Sequence, residues 1–164
     1  MTSVSSPISL IWGYNRPSYV SAAADQSVTA TNANTIYAAG PAIQITSMTG
    51  FIHIKFIAGL FTSATGNVTI YIYKSYTGLP AIGSTPPSTD TQIASITIQI
   101  SSTSTTYNVV LSANDNVPQG QSVFYYIAVS AQTANTGFTF TATTNPLPGI
   151  LGAVNGGALE AICV

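Results

Sequence analysis

The chain has 164 residues, of which three are Lys or Arg and four are Asp or Glu; charged residues make up 4%, against about 25% in ordinary soluble proteins. Its formal net charge of -1 leaves no basic stripe to neutralise phosphates, which argues against a nucleic-acid partner, and few groups remain for acid–base catalysis. The 46% hydrophobic content excludes charge-driven disorder, and a single domain of this length builds a core without disulfides or metals.

Residues 1–25 show no clean alternation. Pro7, Trp12, Tyr14, Arg16, Pro17 and Tyr19 stand among small polar residues, so the segment reads as an extended N-terminal arm, with at most one helical turn at Val20–Ala24. The only Trp and the only Arg sit in it together, and these residue types dominate interface hot spots. Trp12, Tyr14, Arg16 and Tyr19 are therefore candidate anchors on another subunit. The alternative is that the arm folds back as an edge strand of its own domain.

From residue 26 onward, alternation of apolar and polar residues is nearly continuous. Thr, Ile and Val supply about a third of the chain, the composition of pleated, half-buried surface. Ser27–Thr31 and Thr35–Ala39 are weak strands beside Asn-rich turns, and Ala42–Met48 sets Ile43 and Ile45 against Gln44 and Thr46. After Thr49-Gly50, Phe51–Phe61 is a long apolar strand. Gly66-Asn67 opens Val68–Lys74, with Val68, Ile70 and Ile72 on one side and Thr69, Tyr71 and Tyr73 on the other. Thr77–Asp90 is a Gly- and Pro-rich loop, in which Pro86 and Pro87 bar a central strand. Gln92–Ile100, Thr105–Leu111 and Ser122–Ala131 follow as strands, the last two separated by a turn at Ala113–Gly120. Phe138–Thr143, a loop at Asn145–Gly157 and a last strand at Ala158–Val164 complete the chain. About eight to ten short strands with turn signals every 8–12 residues predict an all-β fold, a single jelly-roll β-sandwich over residues 26–164.

The segments NVTIYIYKSYTGLPAIGS, TQIASITIQI, TTYNVVLS, VPQGQSVFYYIAVSA and GGALEAICV, spread from Asn67 to the end, resemble the trimeric jelly rolls of the complement-globular-head and tumour-necrosis-factor type. Such domains occur at phage fibre tips and as decoration, or cement, proteins on tailed-phage heads. The resemblance implies a homotrimer whose terminal strand lies near the threefold axis. The arm lacks collagen-like and coiled-coil repeats, which favours a small decoration subunit over a long fibre.

Chemistry-bearing residues are sparse. His53, the only histidine, shares a strand face with Phe51 and Lys55, and a Ser–His–acid triad would need a carboxylate to orient it. The acids nearest in sequence, Asp25 and Asp90, lie in no recognisable motif, so His53 reads as a solvent or interface residue. The four acids are scattered singly and read as turn residues rather than a glycosidase pair. Asn114-Asp115-Asn116 offers oxygen ligands, but one carboxylate is few for calcium and a turn is the simpler reading. Neither a catalytic residue nor a cofactor or metal site is assigned. Cys163 reads as a small buried residue of the last strand, the alternative being an intermolecular bridge.

The aromatic faces carry the strongest functional signal. Tyr71, Tyr73, Phe124 and Tyr126 stand opposite the aliphatic faces of their strands, so both sides of those strands are covered. Tyr buries a large ring while keeping a hydroxyl for a partner, which makes these four candidate trimer-interface residues.

The resulting expectation is a non-enzymatic virion protein. It would be a homotrimeric decoration subunit held to a major capsid protein on the outer capsid surface. No Lys or Arg precedes the apolar patch Ile8–Trp12, and no apolar run reaches the roughly 18 residues of a membrane span. Synthesis in the host cytoplasm without a signal peptide, and no membrane partner, are expected. Two other classes stay open: a module binding a host-surface receptor or glycan through the loops Gly78–Asp90 and Asn145–Gly157, and a pilus-like subunit donating its arm to a neighbour.

Overall fold

A computed structural model describes residues 18–21, 26–141 and 158–164. The expected arm residues Trp12, Tyr14 and Arg16, and the loop Asn145–Gly157, lie outside the described residues. Among the described residues there are ten strands: β1 (Ser18–Ser21), β2 (Gln26–Ala30), β3 (Tyr37–Thr46), β4 (Phe51–Thr62), β5 (Gly66–Ser75), β6 (Thr91–Ile100), β7 (Tyr107–Asn116), β8 (Ser122–Ala131), β9 (Thr136–Thr141) and β10 (Ala158–Cys163).

All pairings are antiparallel, and the strands form two sheets. The six-stranded sheet is built around β4. One side of β4 pairs with β7 along Phe51–Leu60, and the other pairs first with β10 (Ile52–Ile57) and then with β9 (Gly59–Thr62). Outside these, β1 lies on β10 and β2 on β9. The four-stranded sheet runs β3-β8-β5-β6. The chain changes sheet at β2–β3, β3–β4, β4–β5, β6–β7, β7–β8 and β8–β9. With this alternation, and with the last strands inserted between β4 and the first, the fold is a jelly-roll β-sandwich.

The core follows from residues alternating in and out. Ile52, Ile54, Phe56, Ala58 and Leu60 of β4 are sealed, and they face Val68, Ile70 and Ile72 of β5 and Val123, Tyr125, Ile127 and Val129 of β8. Phe56 and Phe140 meet edge to face, with centroids 5.5 Å apart at 87°, a geometry that suits the aromatic quadrupole. At one end, buried Ser47 joins two turns: its Oγ donates to the Val117 carbonyl (2.8 Å) and accepts from the Gly50 amide (3.1 Å). Gly50 turns there with φ +92°, a conformation that glycine adopts without steric cost.

The structure corrects three local expectations. The two segments Thr35–Ala39 and Ala42–Met48 are one strand, β3, which passes Gly40-Pro41 through a bulge between Ala38 and Ala42. The turn placed at Ala113–Gly120 begins later: β7 runs to Asn116 because β4 continues to pair with it, Phe51 opposite Asn116. Val20 and Ser21 belong to β1, paired with β10 of the same chain, rather than to a helical turn. Tyr19, at the end of the expected arm, lies opposite Glu160 in that pairing.

Candidate interaction surfaces

The four predicted interface residues share the outer face of the four-stranded sheet. Tyr73 lies opposite Tyr126, Tyr71 opposite Ala128, and Phe124 opposite Ser75. The face is covered, as its pattern requires, but the cover comes from the chain itself. The loop between β5 and β6 folds back over it, and Tyr73 and Tyr126 retain only 9% and 2% exposure. With Ala38 and Ala128 they form a small second core, against which Ile36, Ala42 and Tyr71 pack.

Specific bonds hold the loop down. Ala38 donates its amide to the Ser84 carbonyl (2.8 Å), and Gly83 donates to the Ala38 carbonyl (2.7 Å). Tyr126 donates its hydroxyl to Asp90 Oδ2 at 2.8 Å and stacks on Tyr73 with centroids 5.7 Å apart. Burial first, and then the bond to Asp90, pushes the Tyr126 hydroxyl well above its ordinary pKa; burial raises Tyr73 as well. Tyr71 and Phe124 are half-buried, and the Tyr71 hydroxyl shares a 2.9 Å bond with Ser130 Oγ.

Two clefts flank this loop. One, of about 200 Å³, is apolar, lined by Ala38, Pro41, Ala42, Leu79, Ile82 and Tyr126 among others. The other, of about 330 Å³, is more polar: Thr35, Tyr73, Thr85, Ser88 and Asp90 line it together with Ile36, Pro86 and Pro87.

The outer face of the six-stranded sheet has no such lid among the described residues. Phe51 and Val110 are 56% and 54% exposed, and Ile57, Phe61 and Ile162 on the same face are half-buried. In register terms Ile57 sits opposite Val110, and His53 lies between Asn114 and Ile162. The pattern-based pairing of His53 with Phe51 and Lys55 on one face is correct. The ring Nδ1 of His53 meets Asn114 Oδ1 at 2.8 Å, an amide rather than a carboxylate. This face was missed as a candidate because Phe51, Ile57 and Phe61 read as part of one apolar strand, with nothing to say which residues the sandwich leaves outside.

Asp115 belongs to neither face. It points between the sheets from β7, buried, and its two oxygens accept from Lys74 Nζ (2.7 Å) and from the Tyr125 hydroxyl (2.9 Å). This is no cation-binding turn: both carboxylate oxygens are engaged by groups of the four-stranded sheet. Burial and this bond push the Tyr125 hydroxyl far above its ordinary pKa. Cys163 is half-buried at the end of β10, not sealed, with Sγ 3.6 Å from the Thr46 carbonyl. Among the described residues no group of three or more His, Cys, Asp or Glu side chains is placed to hold a metal.

No family model matches the chain, and no curated protein matches it in sequence.

Proposed function

We propose that this chain is a structural, non-enzymatic subunit that assembles as a homotrimer and decorates the outer surface of a virion capsid, stabilising the shell by burial. The observation that carries the reading is the open outer face of the six-stranded sheet, where Phe51 and Val110 stand exposed beside Ile57, Phe61 and Ile162. On this face Phe51 and Ile162 lie on one side of the Lys55–Glu160 row and Ile57, Val110 and Phe61 on the other, and exposed apolar groups set among polar residues in this way mark an interaction site on a soluble protein. The subunit interface is assigned to this face, because the tyrosine face already has its own cover. Near-absence of charge supports the same reading: identical copies approach without repulsion, and the attachment draws on apolar area at roughly 25 cal/mol per Å² before association costs. The arm preceding β1, through Trp12, Tyr14 and Arg16, is assigned to the major capsid protein.

Light scattering on the full chain tests the assembly, with a mass of three chains or a multiple of three expected. A stable monomer at high concentration would sink it. For the arm, removal of residues 1–17 is the informative deletion, since β1 begins at Ser18 and the sheet stays complete. That variant should keep its oligomeric mass and lose capsid attachment.

A second reading, a glycan-binding module, draws on the polar cleft at the β5–β6 loop. A carboxylate, two hydroxyl side chains and an aromatic edge converge there at Asp90, Thr85, Ser88 and Tyr73, chemistry that suits a sugar ring. A glycan array with the isolated chain decides it: a positive signal lost in Asp90→Ala favours this reading over decoration.

A further inference from the structure

Among the described residues, β6 is an unguarded sheet edge. It ends the four-stranded sheet and pairs with β5 alone. Among the described residues, no backbone hydrogen bond reaches it from a turn or loop. Proteins usually protect such an edge with a charge, a proline, a bulge or a short strand. β6 has 10 residues, TQIASITIQI, with no charge and no proline. Its single bulge lies at Ile93, between the Ile72–Ala94 and Tyr73–Gln92 pairs, so Ala94–Ile100 run in regular register.

The inner face of this edge is also unfinished. Ile96 and Ile98 point to the core side, opposite Ile70 and Val68, and pack against it, yet both are only partly buried. Their partners Ile70 and Val68 are sealed at 0% and 2%. The other long edge, β7, differs: its inward Val109 and Leu111 are buried by the sandwich itself.

We propose that β6 is a homotypic docking edge, on which a second copy of this chain pairs antiparallel, β6 to β6, to make one continuous sheet across two sandwiches. The strand's own sequence favours a second copy as the occupant. Centred on Thr97, the antiparallel pairing sets Ile96 opposite the second copy's Ile98, Ala94 opposite its Ile100 and Ser95 opposite its Gln99. Inward residues thus meet inward residues and polar ones meet polar ones, as alternation demands. No like charges oppose each other, and the contact is isologous, the same strand meeting itself on both copies. The partly buried isoleucines of each copy then cover those of the other.

The test uses the full chain. Thr97→Lys places two ammonium groups face to face at the twofold while keeping the β5 ladder, and its sedimentation mass should be half that of the wild type with an unchanged circular-dichroism spectrum. Thr97→Cys in a Cys163→Ser background should oxidise to a covalent dimer on a non-reducing gel, since both Cα spacings of an antiparallel pair, about 4.5 and 5.5 Å, lie within disulfide reach. Thr103→Cys, in the β6–β7 turn, should not. An unaltered mass in Thr97→Lys, or equal cross-linking by the two cysteine variants, overturns the proposal. The trimer reading fails separately, through a wild-type mass that is not a multiple of three chains.

Discussion

Asp115 ties three strands at one point: its own β7, β5 through Lys74, and β8 through Tyr125. Side-chain exposures of 16% for Lys74 and 8% for Asp115 place the pair largely out of water, where losing one partner costs more than the pair contributes. Asp115→Ala should lower stability by about 2–4 kcal/mol, read as a shift of the urea midpoint at constant slope, because an ammonium and a hydroxyl are left unpaired. The combined Lys74→Met, Asp115→Leu, Tyr125→Phe variant should recover most of that loss, since an apolar replacement leaves nothing orphaned. Tyr125 and Tyr126 add an alkaline limit. Both hydroxyls are held above their ordinary pKa by burial and by a carboxylate neighbour, so the folded state keeps protons that the unfolded chain releases near pH 10. Their contribution is complete below about pH 10 and is lost as pH rises beyond it. Melting temperature should fall steeply above that pH, and Tyr125→Phe should make the fall shallower while costing stability at neutral pH.

At the scale of elements, the β5–β6 loop behaves as a lid anchored at two places, the Ala38 bridge and the Tyr126–Asp90 bond. Asp90→Ala should cost about 1–3 kcal/mol and loosen the loop locally. Hydrogen exchange should show faster exchange at the Ala38 and Gly83 amides, with β5 and β8 unchanged; equal loss of protection throughout would mean that the lid and sandwich open together. Strand alternation located most elements well: Phe51–Phe61, Val68–Lys74, Gln92–Ile100 and Ser122–Ala131 each match an observed strand within a residue or two. It failed where local chemistry and long-range pairing disagree. Asn114-Asp115-Asn116 is turn chemistry in isolation, yet β4 supplies a ladder that draws it into β7. Gly40-Pro41 breaks a strand locally, yet β8 spans the break and joins both halves as β3.

At the scale of the molecule, the two outer faces have different fates, one closed by its own loop and one without such a loop among the described residues. Phe51→Asp with Val110→Asp should lower the oligomeric mass measured by light scattering and leave the monomer fold intact, since both side chains already stand in solvent. Because so little charge is involved, the association constant of the wild type should change little between about 0.05 M and 1 M salt, where a Coulomb-driven interface would weaken strongly. Composition and alternation alone determined that the chain is an all-β sandwich and which side chains share a strand face, because a β-strand sends successive residues to opposite sides whatever surrounds it. Only the tertiary structure decided which face is inward, that Tyr73 and Tyr126 are roofed by residues between β5 and β6, that Asp115 meets Lys74, and that β6 pairs with β5 alone among the described residues. Those outcomes depend on contacts between residues far apart in the chain, and the pattern within a single strand carries no record of what will be laid against it.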